Sequence, residues 1–132
     1  MKIINGIAVL ENDNCISRFV IESNRLDHDQ NMLPLVLKYI PENGTVIDVG
    51  SFIGDHTIAY SNKVGENGKV IAIEPNKEAF ECLVYNMRNN PNTKCLNIGL
   101  GAENKTASMT KVATNDGMNY LDRKSTRLNS SH

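Results

Sequence analysis

The sequence contains no apolar run approaching the roughly 20 residues that a membrane-spanning helix needs. It has no excess of either charge, with 14 basic residues against 15 acidic ones in 132 and a net charge of −1. Composition therefore points away from a membrane protein and from a basic nucleic-acid binder. Cysteine is scarce and scattered: Cys15, Cys82 and Cys95 are odd in number, with no Cys-x-x-Cys pair and no Cys/His cluster of zinc spacing. Neither a disulfide framework nor a metal site is expected, and three reduced thiols suit a cytoplasmic protein. The opening residues Met1-Lys2-Ile3-Ile4-Asn5-Gly6 lack the long apolar stretch and cleavage pattern of a secretory leader. Internal repeats and low-complexity linkers are absent too. At 40% hydrophobic and 22% charged, the chain reads as one soluble globular domain.

The run Asp122 to His132 is polar and follows neither the helical nor the strand period. Back-translated, it resembles a short-read sequencing adapter along its whole length. The expectation is a natural domain over residues 1–121 and a foreign tail over 122–132. Without Asp122, Arg123, Lys124 and Arg127, the 14 basic and 15 acidic residues become 11 and 14, which weakens a nucleic-acid role further.

Ile3 to Leu10 and Cys15 to Glu22 are short β-like runs, and Glu11-Asn12-Asp13-Asn14 between them has turn chemistry, so a hairpin is expected. Met32 to Ile40 carries a helical apolar stripe, with Pro34 tolerated in its first turn. Thr45 to Val49 and Lys69 to Ile73 are apolar runs of the buried parallel kind, and Thr93 to Ile98 is a third strand. Between them, Asp55 to Lys63 reads as a helix with Ile58 and Ala59 inward. Lys77 to Asn89 reads as another, with Phe80, Leu83, Val84 and Met87 on one face. Thr106 to Val112 is a weaker candidate strand. The order β-α-β-α-β implies a Rossmann-like α/β fold, an open and mostly parallel sheet with right-handed crossovers, preceded by the hairpin.

The chemistry concentrates in Val46-Ile47-Asp48-Val49-Gly50-Ser51-Phe52-Ile53-Gly54-Asp55-His56-Thr57. This segment sits beyond the carboxyl end of a strand, where open α/β sheets bind ligands. Gly50 and Gly54 allow a tight turn and close approach. A dinucleotide loop would read GxGxxG, its middle glycine making room for pyrophosphate. Here the pattern is GxxxG with Phe52 in that place, which counts against NAD and suits a ligand without a diphosphate, such as S-adenosylmethionine (SAM). Asp48 needs donors at the end of a buried strand. The cofactor's ammonium would serve, and so would the loop amides alone. Glu74 ends the second strand, where an acid can accept from both ribose hydroxyls, and Pro75 follows it. Asn97-Ile98-Gly99-Leu100-Gly101 follows the third strand, and Asn97 could bond an adenine edge or merely satisfy its own loop. His28 and Asp29 precede the first helix. Asp29 could be a simple N-cap, or either residue could lie near the sulfonium end of the cofactor. His56 is expected to assist the loop rather than act as a base. No catalytic base can be named.

These residues resemble the FkbM-type methyltransferase family. The similarity lies in Val46 to Thr57, in Val70-Ile71-Ala72-Ile73-Glu74-Pro75-Asn76 and in Asn97 to Gly101, and it spans residues 20 to 112 or so. The resemblance implies the N-terminal part of a class I methyltransferase, SAM as cofactor and usually O-methylation of a small molecule or sugar. It places cofactor roles on Asp48, Gly50, Gly54, Glu74 and Asn97, with Ser51, Phe52, His56, Thr57, Pro75 and Gly99 in the same segments. Phe52 stands where many members have Asn. The family's fourth strand, with an acidic Asp-x-Glu-Gly segment, has no counterpart here, so the chain is expected to be truncated and inactive by itself. Other readings are a dehydrogenase-like nucleotide binder and a cofactor-binding module that catalyses nothing. The oligomeric state cannot be read from the sequence.

Overall fold

The computed structural model describes residues 1–110 and the backbone of residues 120 and 121. The tail over 122–132 lies outside the described residues, and so do Lys111 and Val112 of the last candidate strand.

A hairpin does open the chain, but it is tighter than the sequence suggested. Strand β1 (Lys2–Ile4) pairs antiparallel with β2 (Ile7–Val9) in the register Lys2↔Val9, Ile4↔Ile7. Asn5 and Gly6 close it with φ of 51° and 79°, the left-handed pair that two-residue hairpin turns demand. The expected second strand at Cys15 to Glu22 is instead helix α1 (Cys15–Ser23). The side chain of Asp13 decides this by accepting from the N–H groups of Cys15 and Ser17 at 3.2 and 3.1 Å, which satisfies donors that a helix start leaves orphaned. Ile16, Val20 and half-buried Phe19 then follow the helical spacing, and the helix ends at Asn24 with φ 57°. A short helix α2 (Leu33–Leu37) carries Pro34 in its first turn, as expected.

The central sheet has the order β3-β4-β5, all parallel, from β3 (Thr45–Val49), β4 (Lys69–Ile73) and β5 (Thr93–Leu96). Helices α3 (Thr57–Val64) and α4 (Lys77–Asn86) are the crossovers, so the α/β architecture read from the sequence is present. A further two-residue pairing joins β6 (Met109–Thr110) to β7 (Tyr120–Leu121).

Burial departs from the sequence pattern in three places, in β3, α4 and α3. Strand β4 is flanked on both sides and buries Val70, Ala72 and Ile73. Strand β3 pairs only with β4 among the described residues, and its Ile47 and Val49 remain 62% and 58% exposed. Helix α4 buries Ala79, Cys82 and Leu83, with Met87 just beyond, while Val84 is exposed and Phe80 half-buried. The face is rotated because α4 serves two partners. Ala79 and Cys82 join Ala8, Val9, Leu10, Ile16, Val20, Leu26 and Ile53 in one core, and Leu83 and Met87 join Ala72 in another. Burial pushes the Cys82 thiol up to about 11, so it behaves as a small hydrophobe. In α3 the buried residues are Thr57, Ser61 and Val64, with Ile58 and Ala59 only half-buried.

Asn86 fastens the hairpin to this frame. Its Oδ1 accepts from the Ala8 N–H at 2.7 Å, and its Nδ2 donates to the carbonyls of Ala8 and Ile53 at 2.9 and 2.7 Å. Asn86→Leu would leave three polar groups unpaired at about 1–3 kcal/mol each, partly relieved by water. The expected loss is roughly 3 kcal/mol of stability, read from the urea midpoint; an unchanged midpoint would show that the hairpin is held by other contacts.

Candidate functional site

The loop after β3 is stitched to the end of β4. The N–H groups of Gly50 and Ser51 both donate to the Ile73 carbonyl at 2.9 Å. The Ser51 hydroxyl donates to the Asp48 carbonyl at 2.8 Å and accepts from the Ile73 N–H at 3.1 Å. The two glycines differ in what they do. Gly54 has φ of 97°, and a Cβ there would meet Leu83 Cδ1 at 3.2 Å, so both conformation and packing require glycine. Gly50 has φ of 79° with nothing within 4 Å of a Cβ, so its outer side is open to a ligand. Phe52 also takes a left-handed φ of 53°, at a cost of about 1–2 kcal/mol for a residue with a Cβ. Its side chain packs against the hairpin core, and its N–H donates to Glu74 Oε2 at 2.7 Å.

Glu74 is the meeting point of the three strand ends. It is buried; Oε2 takes the Phe52 N–H, and Oε1 takes the Asn76 N–H at 2.8 Å. Asn97 Nδ2 donates to the carbonyls of Glu74 and Pro75 at 2.8 and 3.1 Å, so this side chain does satisfy the loops around it. Asp48 Oδ2 accepts from the Thr57 hydroxyl at 2.7 Å rather than from loop amides. Thr57 and Ser51 are themselves buried, which gives them a supporting place behind the loop. Pro75, Asn97 and Gly99 line a cleft of about 480 Å³ that continues along Ile98, Leu100 and Met109.

The other candidates come together on the flank of the glycine loop, around a residue that sequence reasoning missed. Asp55 Oδ2 lies 3.3 Å from His28 Nδ1 and 3.9 Å from His56 Nε2, and His56 Nε2 lies 3.3 Å from Asp29 Oδ2. The two imidazoles are stacked, with centroids 6.4 Å apart and 19° between planes. Burial pushes the Asp55 carboxyl above its ordinary value, opposed by the two histidines. Asp29 Oδ1 accepts from the Met32 N–H at 2.9 Å, which holds its carboxyl below the ordinary range. Asp29 is not the N-cap of α2, which is Met32, but it accepts from the Met32 N–H and its other oxygen faces His56. The missed signal was the adjacency of Asp55 and His56 just after the second glycine, mirrored by His28 and Asp29. Among the described residues no His/Cys/Asp/Glu group could hold a metal ion, and no helix is long and apolar enough to cross a membrane.

A parallel sheet with a glycine turn on its first strand end and a carboxylate on its second is the frame on which open α/β domains bind ligands. Residues 48–132 match the FkbM methyltransferase domain, and the chain belongs to that family. No curated protein matches it. It is similar to a solved SAM-dependent methyltransferase from Aquifex aeolicus, 29% identical over 62% of this chain and 44% of that one, with a TM-score of 0.49. A candidate rRNA methylase from Clostridium thermocellum is 25% identical over 53% of this chain and 41% of that one, with a TM-score of 0.48. The chain thus spans less than half the length of either.

Two outcomes follow from the electrostatics. Glu74→Ala leaves the half-buried N–H of Phe52 and the buried N–H of Asn76 without acceptors, at about 1–3 kcal/mol each, so the urea midpoint should fall before any ligand is added. A wild-type midpoint would mean that water replaces the carboxylate. Asp55 is protonated more readily folded than unfolded, so its ionised form costs stability that is recovered as pH falls through its raised value toward the ordinary 3.8. Asp55→Asn should therefore be more stable than wild type at neutral pH, and the gap should close as pH is lowered toward 4. A gap independent of pH in parallel urea melts would contradict this.

Proposed function

We propose that the protein binds SAM across the carboxyl ends of β3, β4 and β5 and transfers its methyl group to a hydroxyl of a small molecule or sugar. The observation that carries this reading is the convergence of Gly50, Glu74 and Asn97 on three successive parallel strand ends, in a chain of the FkbM family.

The residues fit the cofactor. The open side of Gly50 leaves room for close approach. An ionised carboxylate has about four acceptor sites, so Glu74 retains capacity for two ribose hydroxyls beside its two backbone donors. Asp48 keeps one oxygen beyond the one bonded to Thr57, suited to the ammonium group. Pro75, Asn97 and Gly99 offer a cleft wall for a flat base. When bound, the sulfonium supplies an activated methyl carbon. The chain's part is to hold that carbon in line with the acceptor oxygen, and positioning of this kind supplies much of the acceleration in bimolecular displacements. The loop reads GxxxG rather than GxGxxG, so it does not match a dinucleotide fingerprint. The near-neutral charge favours a small acceptor over nucleic acid, and the three free cysteines suit a cytoplasmic setting.

Calorimetric titration tests the reading. SAM and its demethylated product S-adenosylhomocysteine should both bind, with no heat from NAD at the same concentrations. Binding of NAD with no response to either SAM species would overturn it.

A further inference from the structure

We infer that His28 and Asp55 form a proton-accepting dyad for the acceptor hydroxyl, with His28 Nε2 as the accepting atom. The inference rests on the methyl-transfer reading above and supplies the base that the sequence could not name.

Three observations converge on it. The first is the orientation of His28. Its Nδ1 is buried, lies 3.3 Å from Asp55 Oδ2 and makes no hydrogen bond. Its Nε2 is not buried, and the side chain keeps 30% of its surface. A neutral imidazole has one N–H and one lone pair. A carboxylate facing Nδ1 selects the tautomer with the proton there, which leaves the Nε2 lone pair facing outward. A histidine serving only the fold would have its buried nitrogen bonded. Contacts of this kind are often long or poorly aligned in sites without substrate.

The second observation is the contrast with His56. Its Nε2 turns inward to two carboxylates, Asp29 at 3.3 Å and Asp55 at 3.9 Å. His56 is thereby placed to favour the ionised form of Asp55, and it opposes the rise that burial imposes on that carboxyl. The other groups around the pair are Asp48 at the end of β3, Tyr60 on α3 and the Phe19 ring on α1, which meets His28 edge-on at 6.1 Å.

The third observation is location. Asp55 directly follows Gly54, and Leu26, two residues before His28, comes within 3.8 Å of where a Gly54 Cβ would be. The segment bearing His28 is thus packed onto the glycine loop itself. In the reaction, the acceptor O–H proton passes to His28 Nε2 as its oxygen bonds the methyl carbon. The carbon–sulfur bond breaks with its electron pair going to sulfur, which leaves as a neutral thioether. Asp55 stabilises the imidazolium through Nδ1–H.

The test uses the full chain and two readouts. Long-range ¹H–¹⁵N spectra should show neutral His28 as the Nδ1–H tautomer, shifting toward Nε2–H in Asp55→Asn. An Nε2–H tautomer in the wild type would overturn the proposal, because that nitrogen could not accept a proton. His28→Gln should bind S-adenosylhomocysteine within threefold of wild type. It should lose at least ~100-fold in transfer of tritiated methyl to a hydroxyl acceptor, the size of a missing general base. Transfer within threefold of an active wild type would overturn the dyad; where the wild type transfers nothing, the tautomer decides it. A wild type that binds no S-adenosylhomocysteine would sink the cofactor reading instead, and the tautomer would still decide the dyad on its own.

Discussion

The carboxylate of Glu74 is the constraint on which the site depends. One oxygen holds the N–H of Phe52 in the turn after β3, and the other holds the N–H of Asn76 at the start of α4. Its own carbonyl receives the side chain of Asn97 after β5. A single buried acid therefore sets the relative positions of three loops from three strands. The arrangement also accounts for Phe52. A residue with a Cβ is held in a left-handed conformation because the amide it presents in that conformation has a charged acceptor 2.7 Å away.

Local strain and buried charge cluster on the same short stretch. Phe52 and Asp55 are three residues apart, one held in an uncommon backbone region and the other keeping a carboxylate in a largely desolvated place. Both lie on the segment that joins β3 to α3, beside the carboxyl ends of the strands. The surrounding frame offsets these costs through Ser51, Thr57 and Gly54, which are fixed by hydrogen bonds or tight packing. Pre-organisation of this kind trades stability for function.

What the sequence disclosed followed from how local each signal was. Strands β3 and β4 were legible to the residue because a parallel strand between two crossovers is a bounded apolar run. Pro34 and Gly54 were legible because few positions in a fold want them, whereas the Phe52 and Asn76 donors that Glu74 holds were not, since the fold brings the Phe52 loop to it. The stretch at Cys15 was misread because its short apolar runs fit either period, and the deciding side chain was Asp13, taken as turn chemistry. The face of α4 was misjudged because Cys82 and Ala79 are buried by a hairpin some 70 residues away in sequence, a partner no local pattern announces. Asp55 escaped notice for a related reason. Its role depends on His28, which only tertiary packing brings near.

The bond between Ala8 and Asn86 spans 78 residues. The hairpin is made well before α4 during synthesis, yet its apolar side, with Ala8, Val9 and Leu10 at 1% exposure or less, is covered in part by residues of α4. At about 5–20 residues per second, elongation separates the two by roughly 4–15 s. Throughout that interval the hairpin lacks the part of its cover that Ala79, Cys82 and Asn86 supply, long enough for a chaperone to find it. The hairpin thus precedes α4 in time and waits for it to be satisfied.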